Sequence, residues 1–282
     1  MKKEVCDIVK AVEEVKKQSP LVGSWTNFVT INLVANVQLA AGGRAAMCFL
    51  PDEAKPLAAV SKAVYINVGT LQPVAAESLT EAAKAAVEVG KPWVLDPVAA
   101  GLGETRNSVI KALKEFKPDV IRGNASEIIA LANLWELQSS QKGNVEGVDS
   151  TDAVSDAADS ALALAGYTGG AVAVSGEADL IISNNRAYNL TGGSEMLKSI
   201  TGAGCSLGGL MAVFAAVTDS ITASLAASVA FKWASERARN SCSGTFSFQT
   251  AFVDNLSAID IDSLSAYAEK HLKEVIINEK IR

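Results

Sequence analysis

A mostly parallel α/β sheet with helices on both faces and a helical C-terminal third is the fold this sequence predicts, and three observations carry it. Short runs rich in Val, Ile and Ala read as continuously apolar rather than alternating, the pattern of strands buried on both sides. Helical stretches follow these runs one by one, which builds parallel strands through crossovers. From Cys205 onward the pattern is almost entirely helical. With 282 residues, 49% of them hydrophobic, the chain suits one large domain over residues 1–282.

In chain order, Val5, Ile8, Val9, Val12 and Val15 mark one face of an opening helix. A second apolar helix is expected from about Asn27 to Ala41, stopped by Gly42-Gly43. Strands are expected at Ala45–Phe49, Ala63–Val68, Trp93–Leu95, Val120–Ile121 and Ala171–Val174, with helices near 76–89, 107–116, 124–135 and 151–165. Leu180–Ile182 and Arg186–Asn189 read as an antiparallel extension at one edge. The polar, Gly-containing stretch 141–152 reads as a surface loop. Ligands of such sheets bind beyond the carboxyl ends of the strands, which singles out Met47, Gly69, Asp96, Arg122 and Ser175.

Composition removes several classes of function. The net charge is -6 with no basic block, so nucleic acid and anionic membranes are poor partners. Cys6, Cys48, Cys205 and Cys242 lie far apart without metal-ligand spacing, which points to a reducing, cytoplasmic setting. The lone histidine, His271, is expected on a solvated helix, and its isolation argues against Ser-His-Asp or His-based zinc chemistry. The N-terminus mixes acids and bases unlike a targeting peptide. The longest apolar run, Leu207 to Val217, falls short of the roughly 20 residues that cross a bilayer.

The segment richest in chemistry is Thr201-Gly202-Ala203-Gly204-Cys205-Ser206, which leads into the apolar helix Leu207–Val217. Glycines let backbone N–H groups approach a ligand closely, and a helix N-terminus adds unpaired donors and partial positive charge. Gly202, Ala203 and Gly204 thus form a candidate anion hole for phosphate or a phosphoryl group in flight. Two other readings stand beside it: a tight turn serving helix packing, and a loose dinucleotide fingerprint through Gly202, Gly204 and Gly208. The fingerprint belongs after a first strand, and here it comes late. Cys205 is either an inert buried thiol or, with its pKa lowered by the helix N-terminus from about 8.5, a base for a substrate hydroxyl.

Asp96 ends its strand before Pro97 and either accepts turn hydrogen bonds or holds Mg²⁺. Asn124 and Glu127 have capping-box spacing; the functional reading sets Arg122 on nucleotide phosphates and Glu127 near the metal, and the two readings are compatible. Ser175 either closes an ordinary turn or contacts phosphate. No GxxxxGK[ST] and no protein-kinase catalytic loop occurs.

Taken as an ordered set, these segments resemble hydroxyethylthiazole kinases, the thiamin-salvage members of the ribokinase-like superfamily. The resemblance runs from Pro20 to about Leu256 through Thr26-Asn27-Phe28-Val29, Ala35-Asn36, Ile66-Asn67-Val68-Gly69-Thr70-Leu71, Val94-Leu95-Asp96-Pro97-Val98, Ile121-Arg122-Gly123-Asn124-Ala125-Ser126-Glu127, Val174-Ser175-Gly176-Glu177 and Thr201-Gly202-Ala203-Gly204-Cys205. It implies a ribokinase-like fold and ATP-dependent phosphorylation of the thiazole alcohol. Cys205 matches the catalytic position, and Arg122 and Ser175 match ATP-binding positions. Met47 and Gly202, with Asn27 and Gly69, match acceptor-binding positions; Asp96 and Glu127 match acidic positions around Mg²⁺. A homotrimer with sites between subunits is also implied. Arg44 replaces a small residue, and Cys48-Phe49-Leu50 lacks the usual Ala/Val-His, so acceptor preference is where this chain would differ. A kinase for another vitamin precursor or small alcohol, a non-catalytic thiazole- or nucleotide-binding homologue, and an NADP-dependent oxidoreductase are the rival readings.

Overall fold

A computed structural model describes residues 2–72, 75–137, 144–146, 154 and 156–278. The chain opens with α1 (Lys3–Gln18), whose Val5, Ile8, Val12 and Val15 are buried as the periodicity requires. It continues through β1 (Leu21–Trp25), α2 (Ile31–Ala40), β2 (Arg44–Met47), α3 (Ala54–Val60), β3 (Ala63–Asn67), α4 (Ala75–Glu88), β4 (Trp93–Asp96), α5 (Glu104–Leu113), β5 (Val120–Asn124) and α6 (Ala125–Leu134). Then come β6 (Asn144–Glu146), α7 (Ala158–Thr168), β7 (Ala171–Ser175), β8 (Asp179–Ile182) and β9 (Ala187–Leu190). Four helices, α8 (Ala203–Ala215), α9 (Ser220–Arg239), α10 (Thr245–Ser257) and α11 (Ile261–His271), precede a last strand, β10 (Leu272–Asn278).

One ten-stranded sheet runs in the order β2-β1-β3-β4-β5-β7-β8-β9-β10-β6 among the described residues. Strands from β2 to β7 are parallel, and those from β8 onward pair antiparallel. Helices α1, α2 and α8–α11 bury one face of the sheet, and α3–α7 bury the other. Register brings the candidate residues together: Asn67 stands opposite Asp96, Ser24 opposite Met47, and Asn124 opposite Ser175. The carboxyl ends of β3, β4, β5 and β7 therefore share one rim, as a parallel sheet requires of its ligand site.

Several expectations change. Strand β1 went unforeseen because Gly23 and Ser24 interrupt its apolar run; glycine is needed there, since a Cβ would lie 2.9 Å from Ser61 Oγ. The helix expected from Asn27 begins at Ile31, because Asn27 Oδ1 accepts the amide N–H groups of Val29 and Thr30 in a turn. Of the loop expected at 141–152, residues 144–146 form a strand paired with β10, and the rest lies outside the described residues. The helix expected at 151–165 is seen as α7, beginning at Ala158; residues 151–153 and 155 lie outside the described residues. His271 is not solvated: it closes α11 half-buried, its ring 4.3 Å from that of Tyr267 and its Nδ1 3.1 Å from Thr191 Oγ1. Among the described residues no helix is long and apolar enough to cross a membrane.

Candidate active site

The glycine-rich turn is itself the first turn of α8, which starts four residues earlier than its apolar run suggests. Gly202 is the N-cap with φ +88°, and a Cβ there would come within 2.9 Å of the Thr30 side chain. Ser206 N donates to Gly202 O at 2.8 Å. The amides of Ala203, Gly204 and Cys205 are thus the ones that a helix leaves without intrahelical partners. At Gly204 a Cβ would stand 2.5 Å from Arg122 Nη1, so the guanidinium lies directly against this turn. At Gly208 a Cβ would stand 2.8 Å from the Tyr65 ring, which makes that glycine a packing contact. The turn follows a 3-10 helix at Glu195–Ser199, not a strand, so a dinucleotide fingerprint lacks its context.

Behind the turn lies a buried polar network. Asn27 Nδ2 donates to Asn67 Oδ1 at 2.9 Å and to Cys205 Sγ at 3.7 Å. Asn67 Nδ2 donates to Tyr65 OH at 3.0 Å and to Asp96 Oδ2 at 2.9 Å. The Tyr65 hydroxyl lies 2.7 Å from Cys205 O and 3.0 Å from Asp96 Oδ2, with one hydrogen to share between them. Asp96 is fully buried, and burial pushes its carboxyl up to about 6 against the pull of Arg122. Cys205 departs from expectation: burial and the Asp96 charge push its thiol above the ordinary value, outweighing the Thr30 and Asn67 side chains and Arg122, which draw it down. The helix N-terminus does not leave a free thiolate here, because the sulfur is desolvated beside a carboxylate.

Arg122 sits inside β5 rather than after it. Its Nη1 lies 3.6 Å from Asp96 Oδ1, and its Nη2 donates to Ser175 Oγ at 2.6 Å. Together with Ser175, Ala203 and Gly204 it lines an open cleft of about 410 Å³, whose lining also includes Lys232 and Phe231. Glu127 does complete a capping box with Asn124, and its Oε1 also accepts from Ala99 N at 3.1 Å. Asp96 Oδ1 is buried without a hydrogen-bond donor. Each Glu127 oxygen keeps a lone pair, so both carboxylates retain oxygen donors of the kind a hydrated divalent cation takes.

Next to Asn27 is a small apolar pocket, lined by Trp25, Thr26, Phe28, Cys48, Phe49 and Gly69 among others. Phe28 and Phe49 stack with ring centroids 4.4 Å apart. The Trp25 indole nitrogen and the Thr26 and Ser78 hydroxyls of this lining are buried without partners, a signal that sequence alone did not give. Met47 ends β2, half-buried against the core, and the pocket takes the two residues after it instead. Arg44 opens β2 at the far end, where its Nε donates to Ser19 O at 2.9 Å. Of the two departures noted in the sequence, only Cys48-Phe49 reaches the pocket.

Comparison with known proteins gives the same answer from another direction. The Hydroxyethylthiazole kinase family model matches residues 12–262. A hydroxyethylthiazole kinase of Bifidobacterium longum subsp. infantis is 49% identical over 269 residues, covering 89% of this chain and 86% of that protein. The solved hydroxyethylthiazole kinase of Pyrococcus horikoshii superposes with a TM-score of 0.84 at 31% identity, covering 95% of this chain and 99% of its own. A pyridoxal kinase from Staphylococcus aureus, solved with ADP, shares the fold at TM-score 0.54 and 16% identity over 77% of this chain and 88% of its own. The turn at 202–205, the cleft beside it and these likenesses agree that this chain belongs to the hydroxyethylthiazole kinase family.

Proposed function

We propose that the enzyme moves the γ-phosphoryl group of ATP in line onto the hydroxyl of 4-methyl-5-(2-hydroxyethyl)thiazole, with Cys205 receiving the hydroxyl proton. One observation carries this reading: the free amides at 203–205 stand at a helix start pressed against Arg122 and an open cleft, and Asn27, which touches Cys205, also lines an apolar pocket. Phosphoryl transfer needs mainly positioning and neutralisation of charge. The amides of residues 203–205 are aimed to stabilise the group in flight. Arg122, tethered by Ser175, neutralises phosphate charge from the cleft side. The apolar pocket is the candidate seat of the acceptor ring, and the unpartnered indole N–H of Trp25, a residue of its lining, is the candidate donor to a ring heteroatom. Asp96, with Glu127 through water, would hold Mg²⁺, which supplies charge neutralisation across the phosphates when bound.

Gly204→Ala drives a methyl group into the guanidinium of Arg122, and displacement of about 1 Å is enough to cost roughly 100-fold in rate. Turnover measured as ADP release should fall on that scale while the chain stays folded by circular dichroism. Trp25→Phe keeps the aromatic bulk and removes the unpartnered N–H. It should raise the KM for the acceptor roughly 5–10-fold, the scale of one hydrogen bond, and leave the KM for ATP alone. An unchanged acceptor KM would take the ring out of this pocket.

The deciding assay is ADP release with Mg²⁺ over a panel of small alcohols. Strong preference for the thiazole alcohol supports the reading, and preference for another alcohol would transfer it to that acceptor. Cys48 and Phe49 in the pocket wall are the reason to run the panel. Tight ligand binding without ADP release would instead mark a non-catalytic homologue. We further propose a homotrimer, supported by exposed apolar side chains on α2 (Leu39), in the turn before it (Phe28, Val29) and just after β2 (Leu50). Four free cysteines suit a cytoplasmic setting.

A further inference from the structure

Asn27 reaches the Cys205 sulfur with its amide, beside Thr30, and its hydrogen-bonding capacity is fully committed. Its Oδ1 accepts from Val29 N at 3.1 Å and Thr30 N at 3.2 Å, which uses both lone pairs. Its Nδ2 donates to Asn67 Oδ1 and to Cys205 Sγ, which uses both hydrogens. Asn67 is saturated in the same way, accepting from Gly69 N at 2.9 Å and from Asn27, and donating to Tyr65 and Asp96. Both amides are buried, at 5% and 2% exposure, so water does not offer substitutes. The orientation of each amide is therefore fixed by its partners at both ends. Gly69 belongs to the same arrangement, because a Cβ there would meet Asn27 Nδ2 at 2.8 Å and Asn67 Oδ1 at 2.9 Å.

We infer that Asn27 and Asn67 form a positioning pair for the catalytic sulfur, in which Asn67, anchored on Asp96, turns the Asn27 amide so that its N–H points at Cys205 Sγ. This gives Asn27 and Gly69 a role different from the acceptor contact that family resemblance implies. With no donor or acceptor left over, Asn27 serves the acceptor alcohol through the thiol beside it. An N–H aimed at sulfur favours the thiolate, the charged form that takes up the alcohol proton, and it fixes where the sulfur stands relative to the 203–205 amides. A buried network satisfied at every atom specifies one geometry. Asp96, Arg122 and Tyr65 are the other charged or titratable groups around this sulfur, and Asn67 holds Asp96 and Tyr65 by direct hydrogen bonds.

The inference rests on Cys205 as the proton acceptor, so the test separates the two. Asn27→Asp keeps the oxygen that holds the Val29–Thr30 turn, removes both N–H donors and sets a carboxylate oxygen against the sulfur. The full-length enzyme is assayed with the thiazole alcohol and ATP-Mg²⁺. The expected result is a kcat lower by roughly 10–100-fold, the scale of one hydrogen bond to a charged partner, with the KM for ATP unchanged. Iodoacetamide alkylation of Cys205, followed by peptide mass spectrometry, should slow. A merely structural defect would loosen the site and speed it, and faster alkylation would overturn the inference. Asn67→Ala should show the same kcat loss and the same slower alkylation, because the Asn27 amide is no longer held. Combined with Cys205→Ala, Asn27→Asp should add no further loss; a full additional loss would overturn the pairing. If Cys205→Ala alone retains turnover, the proton-acceptor reading fails and takes this inference with it.

Discussion

Cys205→Ala is expected to lower turnover by about 10²–10⁴-fold, the usual worth of general-base assistance, with ATP affinity preserved. The sulfur touches Asn27 and stands in the third residue of α8, so its removal leaves the amides of 203–205 and the Arg122–Ser175 pair in place. Cys205→Asp should retain much of the activity, because a carboxylate is ionised at neutral pH whereas this thiol is not. The pair of variants is read by ADP release at saturating ATP. Unaltered turnover in Cys205→Ala would remove the residue from proton transfer.

The same geometry predicts a pH signature. Burial and the Asp96 charge hold the thiol above its ordinary value, so thiolate is scarce at neutrality and grows as pH rises. kcat should therefore climb through pH 7 to 9 in the wild-type enzyme and stay flat over that range in Cys205→Asp. A flat wild-type profile would mean that the proton leaves by another route.

The parallel half of the sheet was legible because its strands are buried on both faces and advertise themselves as Val/Ile runs; β3, β4, β5 and β7 lie within a residue or two of expectation at most ends. β1 was hidden by Gly23 and Ser24, whose smallness answers to Ser61 and Gln38 across space rather than to neighbours in sequence. β10 was hidden because its ladder partner, β9, lies some eighty residues upstream in the chain, beyond any local pattern. In the site, Asp96, Arg122, Ser175 and the 202–205 turn announce themselves as chemistry at strand ends and a helix start. Tyr65 and Asn67 did not, since a tyrosine and an asparagine in an apolar strand show their purpose only when β4 and α8 are laid against them. The sign of the Cys205 shift was misjudged for a related reason. Sequence shows the helix start that favours a thiolate, but the desolvation and the facing carboxylate that oppose it come from other elements.

Arg122→Met is expected to damage the protein twice. The side chain is 8% exposed and its partner Asp96 is 0% exposed, so deleting the cation strands a buried carboxylate, at a cost of about 3–5 kcal/mol. For a chain of this size that corresponds to a melting temperature lower by roughly 6–10 °C. Loss of the charged donors should also weaken ATP binding by about 10–100-fold. Acid should partly repair the first defect. The Asp96 carboxyl titrates at about 6 in the folded protein against an ordinary 3.8, so the native state holds this proton more tightly than the unfolded chain. Its contribution to stability is complete below the ordinary value and declines as pH rises through the folded one. Without Arg122 the carboxyl rises further, which widens that window upward. The difference in melting temperature between wild type and Arg122→Met, without added metal, should accordingly shrink from pH 7.5 to 5.5, while ATP affinity stays low at both. A gap that does not change with pH would show that the loss comes from packing against Gly204 and not from the stranded charge on Asp96.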